Sequence, residues 1–147
     1  MGFIRVPVKL FSPVNGHEPI EIEALVDTGA IYSLMPRDRL DSLGITPTDH
    51  GRFQTIEGRP IERDVANVTI EVVGRRSLGR VPVIFGEPGD QPVLGVTALE
   101  MMGLEVHPAR GELRPTEFLL LTVRFSGTLV GLCLHRNRSD CRQDSIE

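Results

Sequence analysis

From its third residue the chain alternates. Ile4, Val6, Val8 and Leu10 fall on one side of an extended segment, and Phe3, Arg5, Pro7 and Lys9 fall on the other. That period of two is the signature of a half-buried strand, and it limits the fold more than any other feature of the sequence. The pattern recurs after each turn signal. Asn15-Gly16 breaks it, and Ile20, Ile22 and Ala24 then interleave with Glu21 and Glu23 before the run becomes wholly apolar at Leu25-Val26. From Phe53 to Val73 the alternation returns on both sides of Glu57-Gly58-Arg59-Pro60, which predicts a hairpin with a polar tip. Val81 to Phe85 predicts a further strand after the bend at Gly74-Arg75-Arg76. Leu104–Val106 and Glu112–Arg114 flank a turn at Pro108–Gly111 and predict a last hairpin.

Helical signals are few and short. Pro36 suits the first turn of a helix over 36–43 that Gly44 would stop. Thr97 and Glu100 are spaced as a capping box, predicting a helix from Ala98 to Met102 closed by Gly103. The expected class is therefore all-β with one or two short helices.

At 147 residues the chain suits one domain with a real core, and 40% apolar with 24% charged residues is a globular balance. A net charge of -4 argues against a general nucleic-acid partner. The start of the chain has no leader pattern, so a cytoplasmic location is the expectation. Phe118 to Val123, ended by Arg124, is far shorter than the ~20 residues that cross a bilayer, so no membrane association is expected. Both cysteines, Cys133 and Cys141, lie near the C-terminus and read as incidental thiols. The strand and motif order suggests a domain over residues 1–121 and a polar, partly disordered tail over 122–147.

The chemistry is concentrated in Ala24-Leu25-Val26-Asp27-Thr28-Gly29-Ala30. An acid at the end of an apolar strand is costly to bury as a lone charge. Thr28 adds a hydroxyl that donates and accepts, and Gly29 lets a ligand or a second backbone come close. The plain alternative is a turn in which Asp27 caps local amides. The tripeptide alone leaves that turn reading favoured. Val93-Leu94-Gly95 is another apolar pair followed by glycine, placed just before the Thr97 helix signal, with the hairpin lying between the two elements.

In these two elements and their order, residues 3–115 resemble the retropepsin-like aspartic proteases, specifically the small single-domain type found outside viruses. The resemblance implies a small, closed, barrel-like acid-protease fold that acts as a homodimer. Each subunit would supply Asp27, since the chain holds one Asp-Thr-Gly element and the mechanism needs two acids. Two carboxylates about 3 Å apart repel by roughly 5 kcal/mol at an effective dielectric near 20, so they share a proton. One then acts as base toward water while the other polarises the scissile carbonyl, the general behaviour of this enzyme class. Thr28, Gly29 and Ala30 are implied to support the catalytic loop and contact substrate backbone, Glu57, Gly58 and Arg59 to form a flap, and Leu94 and Gly95 to lie under the site. The implied function is peptide-bond hydrolysis without metal or cofactor. A dimeric protein-binding module that keeps the fold without turnover is the alternative, and the intact Asp27-Thr28-Gly29 run favours the enzyme.

The chain departs from the viral pattern at three places. Ile31 stands where viral members carry an acid, Val96 stands where they carry arginine, and Pro60 removes an amide donor beside the flap tip. Other chemistries lack their residues. His17, His50, His107 and His135 show no metal-ligand spacing, and Ser33 between Tyr32 and Leu34 lacks the glycines of a nucleophile elbow. Gly74 to Gly79 lacks the Lys-Ser/Thr ending of a phosphate loop, and Met101-Met102 reads as core packing.

Overall fold

In the computed structural model residues 3–116 are described, together with 123–125 and 128–130. Residues 1–116 form one unit, built on β1 (Arg5–Phe11), β2 (Ile20–Asp27), β3 (Ser33–Pro36), α1 (Arg37–Ser42), β4 (Asp49–Gln54), β5 (Pro60–Val72) and β6 (Arg76–Gly86). It is completed by β7 (Val93–Gly95), α2 (Val96–Met102), β8 (Leu104–His107) and β9 (Glu112–Pro115). In the second unit, residues 117–147, β10 (Val123–Phe125) pairs antiparallel with β11 (Thr128–Val130). The expected close of the domain at Phe118–Leu121 falls outside the described residues.

The strands run in the order β1-β2-β7-β3-β6-β5-β4, and β1 pairs a second time with β5, which closes a ring of six strands. This is the closed, mostly β architecture expected. The long strand β5 serves two purposes. Its first half pairs with β4, Gln54 opposite Pro60 through Asp49 opposite Val65, and makes the hairpin. Its second half lies between β6 and β1, with a register shift between Thr69 and Glu71. The alternation read from the sequence fills the ring: Val8 and Leu10, then Ala66, Val68, Ile70 and Val72, then Val81, Val83 and Phe85 all point into one core. Each fully buried aliphatic or aromatic side chain contributes about 1.5–3 kcal/mol. The Arg37 guanidinium lies 5.0 Å from the Phe85 ring centre and caps that core at the start of α1.

Three local expectations change. Pro36 ends β3 and precedes α1, whose first residue is Arg37; the fixed φ of proline serves an extended residue as well as a helical one. The α2 helix begins at Val96 with Gly95 as its cap, and no side chain caps it. Thr97 is already inside the helix, where its amide donates to Ile31 O, so the capping-box spacing is coincidental. Gly103 closes α2 in the left-handed conformation as expected (φ 61°). Strand β3 itself was not legible, because only Ser33 and Met35 are buried along its four residues.

Candidate active site

Strands β2 and β3 follow one another in sequence but are not neighbours. Strand β7 lies between them, parallel to β2 and antiparallel to β3. The loop from Thr28 to Tyr32 must therefore cross the end of β7. The parallel register sets Leu25 beside Val93, Val26 beside Leu94 and Asp27 beside Gly95. The two motifs, separated by more than sixty residues in sequence, thus meet at their C-terminal ends.

The crossing is tied down by backbone hydrogen bonds. Val96 N donates to Ala30 O at 2.8 Å, and Thr97 N donates to Ile31 O at 3.2 Å. Gly95 is required by the closeness of this crossing. A Cβ there would lie 2.6 Å from the carbonyl carbon and oxygen of Tyr32 and 2.9 Å from Ala30 O. At the tip, Gly29 N donates to Asp27 Oδ1 at 2.9 Å, which fixes the rotation of the carboxylate. Asp27 is partly buried, whereas Thr28 and Gly29 are exposed, so one edge of the acid's turn faces outward. A Cβ on Gly29 would sit 3.2 Å from Asp27 Oδ1, tighter than ordinary contact.

The β4–β5 hairpin carries the expected flap residues at its tip. Thr55 N donates to Arg59 O, Gly58 N donates to Thr55 O, and Gly58 adopts a positive φ of 81°. Glu57, Gly58 and Arg59 are exposed, and their hydrogen bonds lie within the hairpin, to Gln54 and Thr55. Ile56 beside them is wholly exposed.

What does join hairpin and loop is an aromatic pair. The rings of Tyr32 and Phe53 meet edge to face with centres 6.0 Å apart. This contact was not anticipated, because neither residue belongs to a motif. The alternation from Phe53 places that ring on one face of the hairpin but leaves its partner open.

The opposite face of the hairpin is held by charge. Arg37 donates to Asp64 Oδ2 at 2.7 Å, and His50 Nδ1 lies 2.9 Å from Asp64 Oδ1. His50 Nε2 is also 3.6 Å from Glu62. The hydrogen bond to Asp64 raises the His50 pKa above its ordinary value, with Glu62 adding to it. His50, and then Arg37, lower that of Asp64. Among the described residues no group of His, Cys, Asp or Glu is arranged to hold a metal ion.

A closed strand ring, with an Asp-Thr-Gly loop crossing the end of β7 and a long hairpin beside it, is the arrangement expected of an aspartic protease domain. Residues 6–98, more than half of the chain, match the aspartyl protease family, and the chain belongs to that family. Among solved structures it is similar to the simian foamy virus (mac) protease, with 22% identity and a TM-score of 0.47 over 65% of this chain and 91% of that one. It is also similar to a retropepsin-like aspartic protease from Rickettsia conorii, with 20% identity and a TM-score of 0.48 over 71% of this chain and 76% of that one. No curated protein matches the chain. The chain is an aspartic-type endopeptidase, and no helix among its described residues is long and apolar enough to cross a membrane.

Proposed function

We propose that the enzyme hydrolyses peptide bonds as a homodimer, with Asp27 of each subunit forming a shared carboxylate pair. The observation that carries this reading is the placement of a single Asp27-Thr28-Gly29 turn at the partly exposed end of β2, locked by Gly95 and oriented by Gly29 N. One lobe supplies one acid. A base and an acid acting together on one carbonyl therefore require a second copy, and two-fold symmetry brings the same residue to meet itself.

In the pair, one carboxylate is ionised and takes a proton from the attacking water. The other holds the shared proton and donates a hydrogen bond to the carbonyl oxygen, then passes a proton to the leaving amine as the tetrahedral intermediate collapses. Gly29, without a side chain, leaves room for the substrate backbone beside the acids, and Thr28 supports the turn. Glu57, Gly58 and Arg59 form the tip of a flap above the peptide, and Leu94 and Gly95 the floor beneath the acids. A cytoplasmic location belongs to the same proposal.

The test is cleavage of an unstructured protein between about pH 4 and 7. Cleavage blocked by a statine-type transition-state mimic is the expected result. The Asp27→Asn protein should keep its fold and association state and lose turnover, because the amide is nearly the same shape but cannot serve as base. A folded Asp27→Asn protein with wild-type turnover would remove Asp27 from the mechanism.

A further inference from the structure

Among the described residues Ser33 is the one polar side chain that is fully buried, at 1% exposure. It opens β3, immediately after the loop that crosses β7. The ladder between β3 and β7 consists of a single residue pair, Leu34 opposite Val93. One step further along, where the ladder has stopped, Ser33 Oγ accepts a hydrogen bond from Gly95 N at 3.0 Å. A buried amide needs such a partner. Gly95 is thus held on both sides: β2 places it beside Asp27, and the Ser33 hydroxyl ties it to the far end of the loop that Asp27 begins.

The contact closes a circuit. Starting at Asp27, the chain runs through Thr28 to Tyr32, reaches Ser33, crosses to Gly95 through the hydroxyl, and returns to Asp27 through the β2–β7 register. Two of the three ties between this loop and the start of α2 are backbone bonds that survive any side-chain change, those to Ala30 O and Ile31 O. The Ser33 bond is the one that sequence can alter.

We propose that Ser33 is a positioning residue for the protease reaction, its hydroxyl fixing Gly95 and thereby the placement of the Asp27 carboxylate. The proposal rests on the reading of Asp27 as the catalytic acid. Ser33 touches neither substrate nor the reacting atoms. Loss of its hydroxyl therefore acts on turnover more than on substrate binding, since small displacements of a reacting group are costly in the transition state.

A pair of variants isolates the hydroxyl. Ser33→Thr keeps it and adds a methyl group, while Ser33→Val has the shape of threonine without it. In the full-length dimer, Ser33→Thr should keep kcat within about threefold of wild type, and Ser33→Val should lower kcat by about 10- to 100-fold with KM within about twofold. Exchange of the Gly95 amide with solvent should quicken by roughly 10-fold in Ser33→Val and not in Ser33→Thr, with the Val81 and Val83 amides unchanged. Where Ser33→Val does not fold, the smaller Ser33→Ala takes its place with the same two readouts. Equal loss in the threonine and valine variants would mean that space and not the hydroxyl matters, and the proposal fails. A kcat at wild-type level without the hydroxyl, or a change confined to KM, overturns it as well. A wild-type protein that cleaves nothing defeats the reading of Asp27 instead, and the Gly95 exchange rate still decides whether Ser33 holds the loop.

Discussion

Replacing Gly95 by alanine tests whether the crossing of the Asp27 loop over β7 is as tight as the structure requires. Gly95 has φ of -86° and ψ of 170°, a conformation open to any residue, so alanine costs nothing there through backbone strain. The whole effect is steric. The new methyl would lie 2.6 Å from two backbone atoms of Tyr32, roughly 0.8 Å closer than the 3.4 Å at which ordinary contact begins. Backbone atoms cannot rotate aside as a side chain can, so the loop itself must move. Overpacking of this kind costs about 3 kcal/mol, the upper part of its usual range, because the atoms met belong to two different carbonyl groups. The melting temperature should fall by roughly 10 °C. A shift of most of an ångström at the loop carrying Asp27 should lower kcat by about 100-fold even in the folded fraction.

Gly111→Ala supplies the contrast. Its φ is +62° with no atom within 4 Å of a Cβ, so its cost is conformational, about 1 kcal/mol, and turnover should be unchanged. Thermal melts at matched protein concentration, paired with initial rates well below the transition, read both quantities. If Gly95→Ala melts and turns over like wild type, the β7 crossing is looser than described and the placement of Asp27 beside Gly95 loses its basis.

The charged face of the hairpin predicts a dependence on pH. Because the folded state raises the His50 pKa, the stabilisation is complete below the ordinary value of 6.5 and is lost as pH rises through the raised value. Because it lowers that of Asp64, the stabilisation from Asp64 is present above its ordinary value of 3.8 and is lost as pH falls through the lowered one. His50→Gln should therefore lower the melting temperature more at about pH 5.5 than at about pH 8.5, and an equal effect at both would show that imidazole charge plays no part. A chain ended after Leu121 should fold with a melting temperature within a few degrees of the full chain, as α1, α2 and every strand of the ring precede that point. Unfolding on removal of 122–147 alone would move the domain boundary toward the C-terminus.

Of the ring, β1, β2, β5 and β6 were legible because their residues alternate, whereas β3 and β7, of four and three residues, were not read as strands. Val8 and Leu10, or Val81, Val83 and Phe85, can reach one core only as strands, so periodicity alone assigns them. Asp27 and Gly95 stood out because each follows an apolar pair in the order of the resembled family, and the register of β2 with β7 brings these pairs side by side. Ser33 escaped for the opposite reason. It was read for nucleophile chemistry, and β3 is too short for its alternation to be distinguished from the helix signal at Pro36. Tyr32 and Phe53 come from distant segments, and which aromatic rings meet depends on the path of the hairpin, which no local pattern records. His50, Asp64 and Arg37 were likewise scattered in sequence. Only the pairing of His50 with Asp64 across β4 and β5, and the position of α1, bring them together.

The shared carboxylate pair is tested most directly by mixing subunits. Equal amounts of wild-type and Asp27→Asn protein, allowed to exchange completely, would leave about one quarter of the dimers with two Asp27 residues. Turnover at fixed total concentration should then be about one quarter of that of an all-wild-type sample, and specific activity should fall on dilution into monomer. Activity of about one half, with no loss on dilution, would mean that each subunit works alone and would contradict the two-subunit site.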